Sequence, residues 1–152
     1  MKQNFEFVKT LLGCEVSLIE RYGAPWDADD VGHMGFLFNP YKYLQIEKAG
    51  NGQGAKLSPD RLEFAPPDDP EGFPRVEISR EAPWNALIRQ TLRRCDLLWI
   101  IVGDRKEGTG CRLYFDEHTF TYINYCDEAK IGLDSEIVYY EQSEIEWQTI
   151  AS

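Results

Sequence analysis

Histidine is scarce in this chain, with His33 and His118 the only two in 152 residues. A working metal site usually needs three or four fixed ligands, and nucleophilic catalysis needs a base placed beside its nucleophile. No G-x-S-x-G elbow is present. The four cysteines, Cys14, Cys95, Cys111 and Cys126, form no C-x-x-C pair. Their spacing supports no zinc site, and buried reduced thiols are the expectation.

Positive charge is also in short supply. Sixteen Lys and Arg face 26 Asp and Glu, for a net charge of −10. Such a surface repels phosphate backbones and anionic lipid, so neither nucleic acid nor a membrane is an expected partner. Residues Met1 to Glu6 lack the apolar stretch of a signal peptide. The longest apolar run, Leu97 to Val102, falls far short of the roughly 20 residues of a membrane helix. These absences predict a soluble cytoplasmic protein with no cofactor.

What is present suits one domain over residues 1–152, with 43% apolar and 13% aromatic residues. Phe5, Val8, Leu11 and Leu12 predict a helix over 4–12, followed by a strand from Cys14 to Glu20. Hairpins are predicted at 35–47, through Asn39-Pro40, and at 111–125, through Asp116 to Thr119. Arg61 to Phe64 and Arg75 to Ile78 read as short strands. Pro83, Trp84, Leu87, Ile88, Thr91 and Leu92 predict a second helix. Asp96 to Val102 reads as a central strand, and Glu136 to Tyr140 and Ile145 to Ile150 as closing strands. The fold class expected is α+β: a mainly antiparallel sheet of about eight strands with two helices.

The chain also resembles itself. An offset of 81 places Cys14 on Cys95, Glu15 on Asp96 and Ile19 on Ile100. An offset of 77 places Phe36-Leu37-Phe38 on Leu113-Tyr114-Phe115 and Asn39 on Asp116. Two halves, about 1–80 and 81–152, each reading helix, strand, hairpin, strand, are the expectation.

Two clusters invite a chemical reading. Asp29, Asp30 and His33 put carboxylates and an imidazole in one polar loop, the basis for a small metal-dependent hydrolase. Asp116, Glu117 and His118 resemble an acid–base group, but they fall in a turn. Surface character is the stronger signal. Asp127 to Glu146 holds seven acids and one base, interleaved with Tyr139, Tyr140 and Trp147. The candidate partner-binding residues are Trp26, Asp27, Asp29, Asp30, Asp134, Glu136, Tyr140, Glu141, Glu144, Glu146 and Trp147. Aromatic anchors in an acidic field suit a basic protein partner.

One segment resembles known proteins. Cys95-Asp96-Leu97-Leu98-Trp99-Ile100-Ile101-Val102-Gly103-Asp104, followed by Gly110-Cys111-Arg112-Leu113-Tyr114-Phe115, is similar to a theme of small bacterial proteins: a tryptophan strand, a glycine-containing loop and an L-x-F strand. Some of these are similar to immunity proteins of bacterial toxin systems. The resemblance covers the second half and implies a role without a shared site residue. The chain lacks the proline and glycine signature of the largest immunity superfamily. An inhibitor of a basic toxin domain, monomeric or homodimeric, is the functional expectation; a hydrolase and a ligand-binding or scaffold module are the alternatives.

Overall fold

A computed structural model of the chain describes residues 4–22, 31–48, 54–61, 75–125, 128–135 and 144–152. The first expected helix is a single turn, α1, Glu6–Lys9. Val8 and Leu11 bury their side chains there, but a segment this short closes too few hydrogen bonds to extend unaided. The chain turns out of it at Gly13, whose φ of 83° is the left-handed conformation that glycine adopts without a steric penalty.

Five strands follow: β1 (Val16–Tyr22), β2 (His33–Phe38), β3 (Lys42–Lys48), β4 (Ala55–Ser58) and β5 (Val76–Glu77). They form one antiparallel sheet in the order β4-β3-β2-β1-β5. The second expected helix is one 3-10 turn, Trp84–Leu87. Then come β6 (Leu92–Val102), β7 (Arg105–Phe115), β8 (Thr119–Tyr125), β9 (Glu128–Leu133) and β10 (Glu144–Ala151). These form a second antiparallel sheet in the order β10-β6-β7-β8-β9.

The α+β expectation with two helices and about eight strands is therefore wrong. The described residues are mostly β, with ten strands in two five-stranded sheets. The apolar spacing from Trp84 to Leu92 is real but serves a turn and a strand. Trp84 packs edge-on to Phe120 at 5.9 Å between ring centroids, and Leu87 is buried. Arg89 then takes a φ of 70°, and although Gln90 N–H still bonds to Leu87 O, the backbone of residues 89–92 pairs with residues 13–16. Strands β4 and β9 carry no clear alternation in the sequence. Most of the strand expected at 61–64, and the one at 136–140, lie outside the described residues. Among the described residues, no helix is long and apolar enough to cross a membrane.

The two sheets share one core. Val16, Ile19, Phe36, Phe38, Leu44 and Ile46 from the first meet Cys95, Leu97, Cys111, Leu113 and Phe120 from the second. Phe36 and Phe120 meet edge-to-face at 4.9 Å, the geometry aromatic quadrupoles prefer. Tyr122 donates its hydroxyl to the Gly32 carbonyl at 2.6 Å, and Asn124 Nδ2 donates to the Gly54 carbonyl at 2.8 Å. These bonds give buried polar groups of the second sheet partners in the first.

The sheets are also related by a local twofold axis. Glu15 and Thr91 form an isolated antiparallel bridge. Around it, Gly13 N–H donates to Leu92 O at 2.9 Å and Arg89 N–H to Val16 O at 2.8 Å. Leu92 N–H donates to Cys14 O at 3.1 Å and Val16 N–H to Gln90 O at 3.0 Å. Each pair of bonds interchanges when 76 is added to the lower number. Register irregularities fall between Val16 and Leu18 and between Leu92 and Arg94, again 76 apart. The offset of 81 expected for the first strand is thus replaced by 76. Glu20, opposite Gly35, matches Asp96, opposite Arg112. Each half is one helical turn and five strands, longer than the helix, strand, hairpin and strand expected.

Candidate functional site

Strand β10 is the terminal strand of its sheet and pairs with β6 along one side. Its sequence, Glu144-Ile145-Glu146-Trp147-Gln148-Thr149-Ile150-Ala151, keeps most side chains in solvent until Ala151. Ile145 is 52% exposed. Glu144 makes no ion pair with a described residue. Glu146 accepts a hydrogen bond from Lys106 Nζ at 3.0 Å, and that ammonium also lies 5.1 Å from the Trp99 ring centroid. Trp99 Nε1 donates to Gln148 Oε1 at 2.9 Å. β10 is thus tied to the β6–β7 hairpin by side chains as well as by the ladder.

The outer face of this sheet, away from the core, carries an ordered polar row. Thr149, Asp96, Arg112 and Thr121 stand opposite one another across four strands. Asp96 is 1% exposed, and Arg94 Nε and Nη2 donate to its two oxygens at 2.9 Å each. Arg112 Nε donates to Thr121 Oγ1 at 2.9 Å, and its guanidinium lies 4.3 Å from the Trp147 ring centroid. Sequence reasoning flagged Trp147 but missed Arg112. The available signal was its place in Cys111-Arg112-Leu113-Tyr114-Phe115, where alternation puts Arg112 on the face opposite the core.

The other sequence candidates are dispersed. Trp26, Asp27, Asp29, Asp30, Glu136, Tyr140 and Glu141 lie outside the described residues. Asp134 follows β9, at the opposite edge of the sheet from β10, with three strands between them and so roughly 19 Å away. It accepts from Thr119 N–H at 2.7 Å and contacts His118 Nδ1 at 2.6 Å. The His118 contact, with the Thr119 amide, holds its carboxyl below the usual range. These bonds fasten the β7–β8 turn to the end of β9. His33 is buried, and its Nδ1 accepts the Lys48 N–H at 2.9 Å. Among the described residues, no three His, Cys, Asp or Glu side chains gather closely enough to hold a metal ion.

The first sheet has its own buried carboxylate. Glu20 is 2% exposed; Arg61 Nε and Nη2 donate to its oxygens at 2.8 and 3.1 Å, and Tyr43 donates its hydroxyl at 2.8 Å. Arg75 Nε lies 3.8 Å away. Burial, with the neighbouring Tyr22 and Glu20, pushes the Tyr43 phenol far above its ordinary range. Gly35 makes room for this network, because a Cβ there would collide with the Tyr43 hydroxyl. A cavity of about 360 Å³ opens elsewhere, lined by Arg21, Glu81, Trp84 and Lys130 among others.

Together these features define a two-sheet antiparallel β protein whose exposed acidic strand borders a stacked arginine–tryptophan pair. Comparison with protein-family models, with curated proteins and with solved structures gives no match.

Proposed function

We propose that this chain is a non-enzymatic binding protein that docks a basic protein partner on β10, acting as an immunity or inhibitor protein against a toxin domain. The observation that carries this reading is one terminal strand bearing solvent-exposed Glu144, Ile145 and Glu146 beside half-buried Trp147, in a chain of net charge −10. An open strand offers main-chain groups, its acids offer charge complementarity, and its apolar side chains offer anchors. A toxic nuclease fits as the target, because a cleft that attracts phosphate must be basic. Self-pairing of β10 has less support, because glutamates would approach glutamates across the new ladder.

The hydrolase alternative through Asp29, Asp30 and His33 draws less support, because His33 Nδ1 is already engaged by the backbone. A ligand-binding module remains the second reading, on the strength of the cavity beside Trp84. The test is affinity capture from the native cell with the unmodified chain and with a Glu144→Lys, Glu146→Lys variant. The expected result is a basic protein retained by the first, lost by the second, and toxic unless co-expressed with this chain. Capture that is indifferent to both substitutions and to salt overturns the reading.

A further inference from the structure

We propose that Arg112, held against Trp147, is a carboxylate-binding seat, and that the partner places an aspartate or glutamate side chain there between basic residues that meet Glu144 and Glu146. The inference rests on the binding-protein reading and adds an acidic requirement to a partner otherwise expected to be basic.

Among the described residues, exposed Lys56, Arg80 and Arg89 lack an ion pair as Arg112 does, but Arg112 is half-buried and held in place. Arg61 is paired with Glu20, Arg93 with Asp116, Arg94 with Asp96 and Lys106 with Glu146. Arg112 stands directly opposite Asp96 in the ladder, the natural place for a cross-strand pair. Yet both Asp96 oxygens are occupied by Arg94, and no carboxylate of a described residue lies within ion-pair distance of Arg112. Its Nε is fixed by Thr121 and its plane by the Trp147 indole. The terminal nitrogens have no acceptor among the described residues. A guanidinium held on two sides loses little further freedom when it closes on an oxyanion with two parallel hydrogen bonds.

The surroundings select the occupant. Glu144 and Glu146 project from β10 on the face opposite Trp147, so an extended partner strand that sets a carboxylate against Arg112 turns its neighbouring side chains toward the glutamates, and a polyanion such as a nucleic acid meets repulsion along the strand. A lone carboxylate flanked by cations satisfies Arg112 and both glutamates together. Tryptophan and arginine are also the side chains that most often dominate interface energetics.

The probe is a pair of peptides, acetyl-Lys-Val-Lys-Asp-Lys-Val-Lys-amide and its Asn counterpart, titrated into the full chain. The Arg112 Nε–H and Trp147 indole N–H resonances report binding, assigned through Arg112→Lys and Trp147→Phe variants. The expected result is saturable movement of both with the Asp peptide and affinity about tenfold weaker for the Asn peptide, the size of one charge-assisted hydrogen bond. The Arg112→Lys variant should erase that preference. Equal affinity for the two peptides overturns the seat, and so does the absence of saturable movement. If equal affinity disappears in a Glu144→Gln, Glu146→Gln variant, the basic-partner reading stands while the seat falls.

Discussion

Glu20 and Asp96 occupy the same position in the two halves, each a buried carboxylate on the outer face of its sheet, gripped by the fork of an arginine. Their surroundings differ. Arg61 and Arg94 are similarly exposed, at 36% and 46%, but Glu20 also holds the buried Tyr43 hydroxyl, which cannot return to water, and faces Arg75. Removing one partner of a buried pair strands the other, and a group that can return to water loses less. Glu20→Gln should cost about 3 kcal/mol, and Asp96→Asn about 1 kcal/mol, in chemical denaturation. Equal losses would show that the two clamps are equivalent in energy.

Gly13 and Arg89 form a second matched pair, with φ of 83° and 70°. A left-handed conformation strains any residue bearing a Cβ, and glycine escapes that strain. Arg89→Gly should therefore be neutral or stabilising by up to about 1 kcal/mol, while Gly13→Ala should destabilise by about 1 kcal/mol. Thermal melts of the two variants check this; a loss from Arg89→Gly would mean that the arginine side chain contributes more than its backbone strain costs.

Acid unfolding should report two surface carboxylates. The His118 contact and the Thr119 amide lower the Asp134 pKa, and Arg93 lowers that of Asp116. A carboxylate depressed in the folded state contributes stability that is complete above its unfolded pKa of about 3.9. That contribution is lost as pH falls through the depressed folded value. A double Asp116→Asn, Asp134→Asn variant should show a shallower decline in stability below about pH 4. An unaltered acid limb would show that neither contact persists in solution.

Thiol labelling offers a check on the core. Burial, with a small contribution from Asp96, pushes the Cys95 thiol up to about 12. Cys111 is raised by burial and by Cys95. Cys14 is half-buried. At about pH 8, iodoacetamide should modify Cys14 in the folded protein and leave Cys95 and Cys111 protected until denaturant is added. Labelling of all three at one rate, followed by peptide mass spectrometry, would contradict the packing of β6 and β7.

Both hairpins were legible because alternation and turn residues are local properties: Phe36 to Phe38 and Leu113 to Phe115 bury every second side chain. The helices were misread because helical spacing records which side chains are apolar, not where the backbone hydrogen bonds go. Leu92 is apolar in either reading, and only its ladder pairing with Phe115, joined by its bonds to Cys14 and Gly13, places it in a strand. The match of Cys14 with Cys95 favoured an offset of 81, though buried carboxylates made Glu20 and Asp96 the better anchors. At the candidate site, the acids and Trp147 of β10 were visible as composition. Arg112 was not, because its significance lies in having no carboxylate partner among the described residues, which depends on how Arg94 and Asp96 meet across space.

The bridge between Glu15 and Thr91 has a consequence for how this molecule can diverge. Two identical chains meeting about such an axis must change in concert, since every substitution appears twice. Joined in one polypeptide, the halves are released from that constraint. Their outermost strands already differ, two residues long at Val76–Glu77 and eight at Glu144–Ala151. The shorter offers a neighbour an edge of two residues, and the longer an edge of eight.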